Sequence, residues 1–204
     1  MQNILFFGDS LTAGYGLSDA ERESFPALIQ KKIDGASLPF QIINAGVSGD
    51  TTASGLARLD YWLNRPIHVL VLELGINDII RGVSLQTTSH NLQMIVDRVK
   101  EKYPNVRMAL MGMEIPGFIP GVPAAFSEAF RDVFKKLAET NNMIFVPFFL
   151  EGVAGKKDLN LGDGLHPSAA GYRIIANKVW PAIRSLLEED IPEISSEEES
   201  LVSD

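Results

Sequence analysis

Cysteine is absent from the chain, which excludes a disulfide framework, a thiolate nucleophile and any Cys-ligated zinc or iron–sulfur site, so the fold must rest on packing. Long apolar runs are absent too. The most hydrophobic stretch, Ile67 to Ile80, is broken by His68, Glu73, Asn77 and Asp78, and nothing approaches the roughly 18 consecutive apolar residues of a membrane span. A basic start followed by an apolar stretch, the mark of a secretory signal, is also missing, because Asn3-Ile4-Leu5-Phe6-Phe7-Gly8 already reads as a first strand. The expected location is the cytoplasm, with the periplasm or the exterior as the alternative if a leader preceded Met1. Basic residues are in deficit, 18 Lys and Arg against 26 Asp and Glu. The deficit is local: Ser185 to Asp204 carries eight of the 26 acids and no Lys or Arg, leaving 18 against 18 elsewhere. Without a basic stripe a nucleic-acid partner is not expected. Histidine is scarce, with three in all.

What remains is a chain of 204 residues with 46% apolar side chains, enough for one substantial core and short of two comfortable domains. We expect one domain over residues 1–187 and an acidic tail over 188–204, read as a solvated end. Apolar runs of strand length alternate with amphipathic segments of helix length. Strands are expected at Ile4 to Phe7, Phe40 to Asn44, Val69 to Leu74, Arg107 to Met111 and Ile144 to Pro147, and helices near 24–34, 52–63, 86–102, 124–141 and 168–187. This β-α-β order implies a doubly wound, five-stranded parallel sheet of flavodoxin-like type, helices on both faces, with its ligand crevice beyond the carboxyl ends of the strands. Glu114 to Pro123, rich in Pro and Gly, reads as a loop.

Polar clusters follow the first three strands and precede the last helix: Gly8-Asp9-Ser10-Leu11-Thr12, Gly46-Val47-Ser48-Gly49-Asp50, Gly75-Ile76-Asn77-Asp78 and Asp163-Gly164-Leu165-His166-Pro167. All four can meet at one sheet edge. Ser10, directly after a buried strand, stands where a nucleophile would stand, although a lone serine there is as ordinary as a helix N-cap. A serine hydroxyl needs a base, and the base needs a partner that fixes its tautomer. His68 opens the third strand at the amino edge and His90 lies early in a helix, so neither qualifies. His166 does, with Asp163 three residues earlier in a Gly-rich turn. Read alone, Asp-x-x-His also fits a helix cap or part of a metal site whose other ligands would be Asp9, Asp50 or Asp78. Donors for a developing oxyanion are the Ser10 N–H, the Gly49 N–H and the Asn77 amide, although a plain turn and an Asx-turn explain the last two equally well. Ile115, Phe118, Ile119 and Val122 offer an apolar wall for an acyl chain, and Asp9 and Ile76 are expected at the substrate as well.

At these residues the chain resembles the GDSL family, also called SGNH hydrolases. The likeness is carried by Gly8-Asp9-Ser10-Leu11-Thr12-Ala13-Gly14-Tyr15-Gly16, Ser48-Gly49-Asp50-Thr51-Thr52, Pro147-Phe148-Phe149-Leu150 and Asp163-Gly164-Leu165-His166-Pro167, and spans roughly residues 3–183. It is nearest to the bacterial arylesterases, acyl-thioesterases and lysophospholipases. The resemblance implies a three-layer α/β/α fold, no metal or organic cofactor, Ser10 as nucleophile, His166 as base then acid, Asp163 as its orienter, and Ser10, Gly49 and Asn77 as oxyanion hole. The chain departs from the pattern at Ile76, where close relatives often carry glycine, and after Pro116, where the frequent Asn-Tyr-Gly is missing; acyl-length preference is therefore not carried over.

The function expected is a serine esterase acting on small carboxylic or aryl esters or thioesters, with a lysophospholipase or carbohydrate acetylesterase on the same site as the alternative. A nucleotide-binding reading fails on its motifs: Gly14-Tyr15-Gly16-Leu17-Ser18-Asp19 has Asp where a third glycine belongs, and no Lys-Ser or Lys-Thr follows the Gly8 to Gly14 loop.

Overall fold

Along residues 1–115 and 121–188, which the computed structural model of the protein describes, the five apolar runs form strands β1 (Gln2–Gly8), β2 (Phe40–Gly46), β3 (Val69–Glu73), β4 (Arg107–Met111) and β5 (Ile144–Val146). They pair in parallel in the order β2-β1-β3-β4-β5. Parallel strands need crossover connections, and helices supply them: α1 (Ser10–Ala13), α2 (Ala20–Glu23), α3 (Phe25–Gly35), α4 (Thr52–Trp62), α5 (Ile76–Ile80), α6 (Leu85–Lys102) and α7 (Ala124–Asn141), with α8 (Ala169–Glu188) following the last strand. One helical layer sets α3 against α8, and the other stacks α4 on α6 and α6 on α7. The chain therefore has the three-layer α/β/α fold expected of its sequence.

Covering both faces makes the inner strands apolar without alternation. All five residues of β3 are buried, and so are Ile4, Leu5, Phe6 and Phe7 of β1. Each long helix turns one stripe to that sheet. In α8 the stripe is Tyr172, Ile175, Ala176, Val179, Ile183, Leu186 and Leu187, at the three- and four-residue spacing of a helical face. Fully burying a side chain the size of Leu or Phe stabilises the fold by about 1.5–3 kcal/mol, so this layer is a large part of what holds the sheet.

Register places the functional edge. Gly8 pairs with Gly46 of β2 on one side and with Glu73 of β3 on the other, so the three segments leave the sheet side by side. Gly8 has no alternative there: a Cβ would stand 2.1 Å from the Thr12 hydroxyl and 2.5 Å from Glu73 Oε2. The helices expected near 24–34, 52–63, 86–102, 124–141 and 168–187 are present within a residue or two. Three short helices were not expected, α1, α2 and α5, and two of them carry site residues. Phe118, Ile119 and the acidic tail over 189–204 lie outside the described residues.

Candidate active site

The chain leaves β1 at Gly8 and turns at once. Asp9 caps α1 by accepting the Leu11 N–H on Oδ1 at 3.0 Å, and Gly14, at φ +79°, closes the four-residue helix with its N–H on the Ser10 carbonyl. Ser10 is thus the first residue of a helix rather than its cap, and its residue is 7% exposed. Far along the sequence, Asp163 Oδ1 accepts the N–H groups of Leu165 and His166 at 2.9 and 3.0 Å, which rolls the segment into a tight turn. Leu161 N–H binds the His166 carbonyl at 2.7 Å and moors that turn to the preceding loop.

These two turns meet. His166 Nε2 lies 2.8 Å from Ser10 Oγ, and His166 Nδ1 lies 2.7 Å from Asp163 Oδ2. With a proton on Nδ1 held by the carboxylate, Nε2 presents its lone pair to the serine hydroxyl. Burial pushes the Asp163 carboxyl up, but the two backbone N–H bonds and the imidazole outweigh it and hold the group below its usual value. Asp163 is therefore ionised at neutral pH. Tyr15 covers the other side of the ring, centroids 4.6 Å apart at 46°.

The expected oxyanion donors flank Ser10. Neither the Ser10 N–H nor the Gly49 N–H has an acceptor among the described residues, so both are free to receive a developing charge. Gly49 reaches its position at φ +82°, a conformation that disfavours other residues, and Arg81 Nη2 steadies it by donating to the Gly49 carbonyl at 2.7 Å. Asn77 lies inside α5, not in an Asx-turn. Its amide nitrogen is 2.9 Å from Asp9 Oδ2 and 3.0 Å from the Asp50 carbonyl, so both its hydrogens already have partners.

A cavity of about 610 Å³ adjoins this group, lined chiefly by Leu11, Ile76, Met113, Ile115, Phe148, Leu150 and the Asp163 to Leu165 turn. Ile76 and Ile115 are both in this lining. Asp9 is not. It is 0% exposed and lies beneath the site with both carboxylate oxygens engaged, so it cannot touch a substrate. The other carboxylates considered as metal ligands are also committed to protein donors: Asp50 to Ser54 and Arg58, Asp78 to Thr52 and Thr88. His68 sits at the amino edge of the sheet and accepts the Asn3 N–H on Nδ1, and His90 is exposed on α6.

Sequence reasoning missed Glu73, fully buried beneath Ser10, and Tyr172, whose hydroxyl donates to the Leu11 carbonyl at 3.0 Å. An acid closing the otherwise apolar run Val69-Leu70-Val71-Leu72-Glu73 was the one available signal for the first. An apolar-looking helix stripe hid the second.

Known proteins share this arrangement of sequence and fold. The chain matches the GDSL-like lipase/acylhydrolase family over residues 6–174. Esterase TesA of Pseudomonas aeruginosa is 34% identical over 188 residues, 91% of this chain and 90% of its own length. The thioesterase 1/protease 1/lysophospholipase L1 of Escherichia coli is 35% identical over 189 residues, 92% of this chain and 86% of its own. A crystal structure of TesA superposes with a TM-score of 0.84 at 34% identity, covering 91% of this chain and 100% of the other.

Proposed function

This chain belongs to the GDSL-like lipase/acylhydrolase family and is an ester hydrolase, and we propose that it works through an acyl-enzyme formed on Ser10. The observation that carries the reading is the unbroken path from Asp163 Oδ2 through His166 to Ser10 Oγ at 2.7 and 2.8 Å, opening on an apolar cavity.

Ser10 Oγ attacks the acyl carbon while its proton passes to His166 Nε2. Asp163, ionised at working pH, holds the imidazole in the tautomer that can accept that proton and stabilises the imidazolium that results. Negative charge gathering on the former carbonyl oxygen is met by the Ser10 and Gly49 N–H groups, and by Asn77 once one of its amide hydrogens turns from its present acceptor. The imidazolium then gives its proton to the departing alcohol or thiol. Water, deprotonated by His166, cleaves the acyl-enzyme by the same steps in reverse order. Each step uses side chains and backbone of residues 1–187, which we take as the catalytic unit, with 188–204 as an acidic extension.

The acyl group would lie along Leu11, Ile76, Ile115 and Phe148. A lining of this kind favours a carboxylic ester or thioester with an apolar acyl chain, lysophospholipids included, over an acetylated sugar, which needs several polar partners. The test is hydrolysis of p-nitrophenyl esters from acetate to palmitate by wild type and Ser10→Ala, with chelator present throughout. Wild-type activity should persist in chelator and rise with chain length beyond acetate, and Ser10→Ala should lower kcat at least about a thousandfold. Ester hydrolysis that survives the Ser10→Ala change rules out the Ser10 mechanism.

A further inference from the structure

Two acids that the hydrolytic steps leave untouched lie beneath the Ser10 turn. Asp9 and Glu73 are each 0% exposed, β3 sets Glu73 beside Gly8, and the Asp9 N–H donates to Glu73 Oε2 at 3.2 Å, so the two buried acids are immediate neighbours. Two carboxylates held this close repel each other, and in a buried site without a cation between them both cannot stay ionised. One of the two therefore carries a proton.

The surrounding donors identify its holder. Asp9 has both oxygens committed as acceptors, Oδ1 to the Leu11 N–H at 3.0 Å and Oδ2 to the Asn77 amide at 2.9 Å. Glu73 receives the Asp9 and Thr12 N–H groups, both at 3.2 Å, and the Thr12 hydroxyl at 2.7 Å, all on Oε2. Its Oε1 is equally buried and receives no donor from any described residue. A charged oxygen left in that state bears a full desolvation penalty, which protonation of the carboxyl greatly reduces.

We propose that Glu73 carries the single proton of this pair and is thereby a positioning residue for the hydrolysis, pinning the Ser10 turn through Oε2 and leaving Asp9 as the carboxylate that orients the Asn77 amide. Only the catalytic half of this statement rests on the acyl-enzyme reading. Burial pushes both groups up, Asp9 to about 7 and Glu73 well above the usual carboxylate range. The charged and titratable neighbours do not reverse this. Asp50 adds a like charge that raises Asp9 further, and Arg58 directs its guanidinium to Asp50, at 2.5 Å, and to the Gly8 carbonyl. From α8 the Tyr172 phenol, itself raised by burial and by the nearby acids, donates to Leu11; His166 and Asp163 stand on the far side of Ser10.

A carboxyl raised by the fold contributes stability that is complete below its unfolded value and is lost as pH climbs through its folded value. Glu73→Gln keeps one donor and one acceptor, as the protonated acid does, and does not titrate. The experiment compares wild type, Glu73→Gln, Glu73→Ala and Ser10→Ala. Glu73→Gln should keep kcat within about threefold, and Glu73→Ala should lose at least about thirtyfold in kcat with KM little moved. The Tm of Glu73→Gln minus that of wild type should rise steadily from about pH 5 to about pH 9. If Glu73→Gln is as impaired as Glu73→Ala, or if that Tm difference is flat or shrinks with pH, the proposal is overturned. Should Glu73→Ala not fold, wild type and Glu73→Gln decide alone. Activity retained by Ser10→Ala would remove the acyl-enzyme reading, while the Tm comparison, which needs no substrate, still judges the pair.

Discussion

Tyr15 is half exposed, yet its ring lies 4.6 Å from the His166 imidazole, which gives an open aromatic side chain a defined task. The face of an aromatic ring attracts a cation by about 0.5–1 kcal/mol at an exposed site, and in the proposed mechanism that cation is the imidazolium formed when Ser10 gives up its proton. Tyr15→Ala should therefore lower kcat about twofold to fivefold, and Tyr15→Phe, which keeps the ring, should stay near wild type. Equal losses in both variants, measured on one p-nitrophenyl ester, would assign the effect to the hydroxyl and contradict the stacking account. At this scale the principal polar residues can be read directly from the sequence. Ser10, Asp163 and His166 were legible because each is the sole side chain of its type at its strand end or turn that can take its part. Asp9 was misplaced because an acid beside a nucleophile looks the same in sequence whether it faces substrate or core. Its partner Glu73 decides the matter, and that partnership exists only in the register of β1 on β3.

Among the elements, α5 is where the proposed acyl selectivity can be tested. Ile76, 4% exposed, opens this five-residue helix against the cavity wall, and Asn77 follows it. Ile76→Ala should enlarge the pocket and move the preferred p-nitrophenyl ester toward longer acyl chains, at a cost near the low end of the roughly 2–5 kcal/mol of such truncations because one side of the residue already meets space. An unchanged chain-length profile would mean that the acyl group lies elsewhere. Neither α5 nor α1 was foreseen, for a physical reason: four or five residues span barely more than one turn, too short for a 3.6-residue periodicity to show. The long helices and the strands were legible since each repeats its apolar pattern over its whole length. Their ends slipped by a residue or two where polar side chains take over the bonding, as Asp9 does beyond β1.

At the scale of the molecule, the site has no local existence. Ser10 and His166 are 156 residues apart in sequence and become neighbours only when β1, β2 and β3 release their loops at one edge and α8 anchors the turn before it. The β-α-β order made that edge readable in advance, and the fold delivers it; the depth of the carboxyl pair beneath Ser10 could not be read, because burial belongs to the assembled layers. Activity should accordingly be lost together with the fold in denaturant rather than ahead of it. The central claim, a covalent intermediate on Ser10, is tested most directly by mass spectrometry of the intact protein after exposure to an organophosphonate ester, with peptide mapping of the product. The account predicts one adduct per chain, located on Ser10, with activity falling in step with labelling and no adduct on Ser10→Ala. Labelling at another residue, or full activity in a protein stoichiometrically labelled at Ser10, would contradict it.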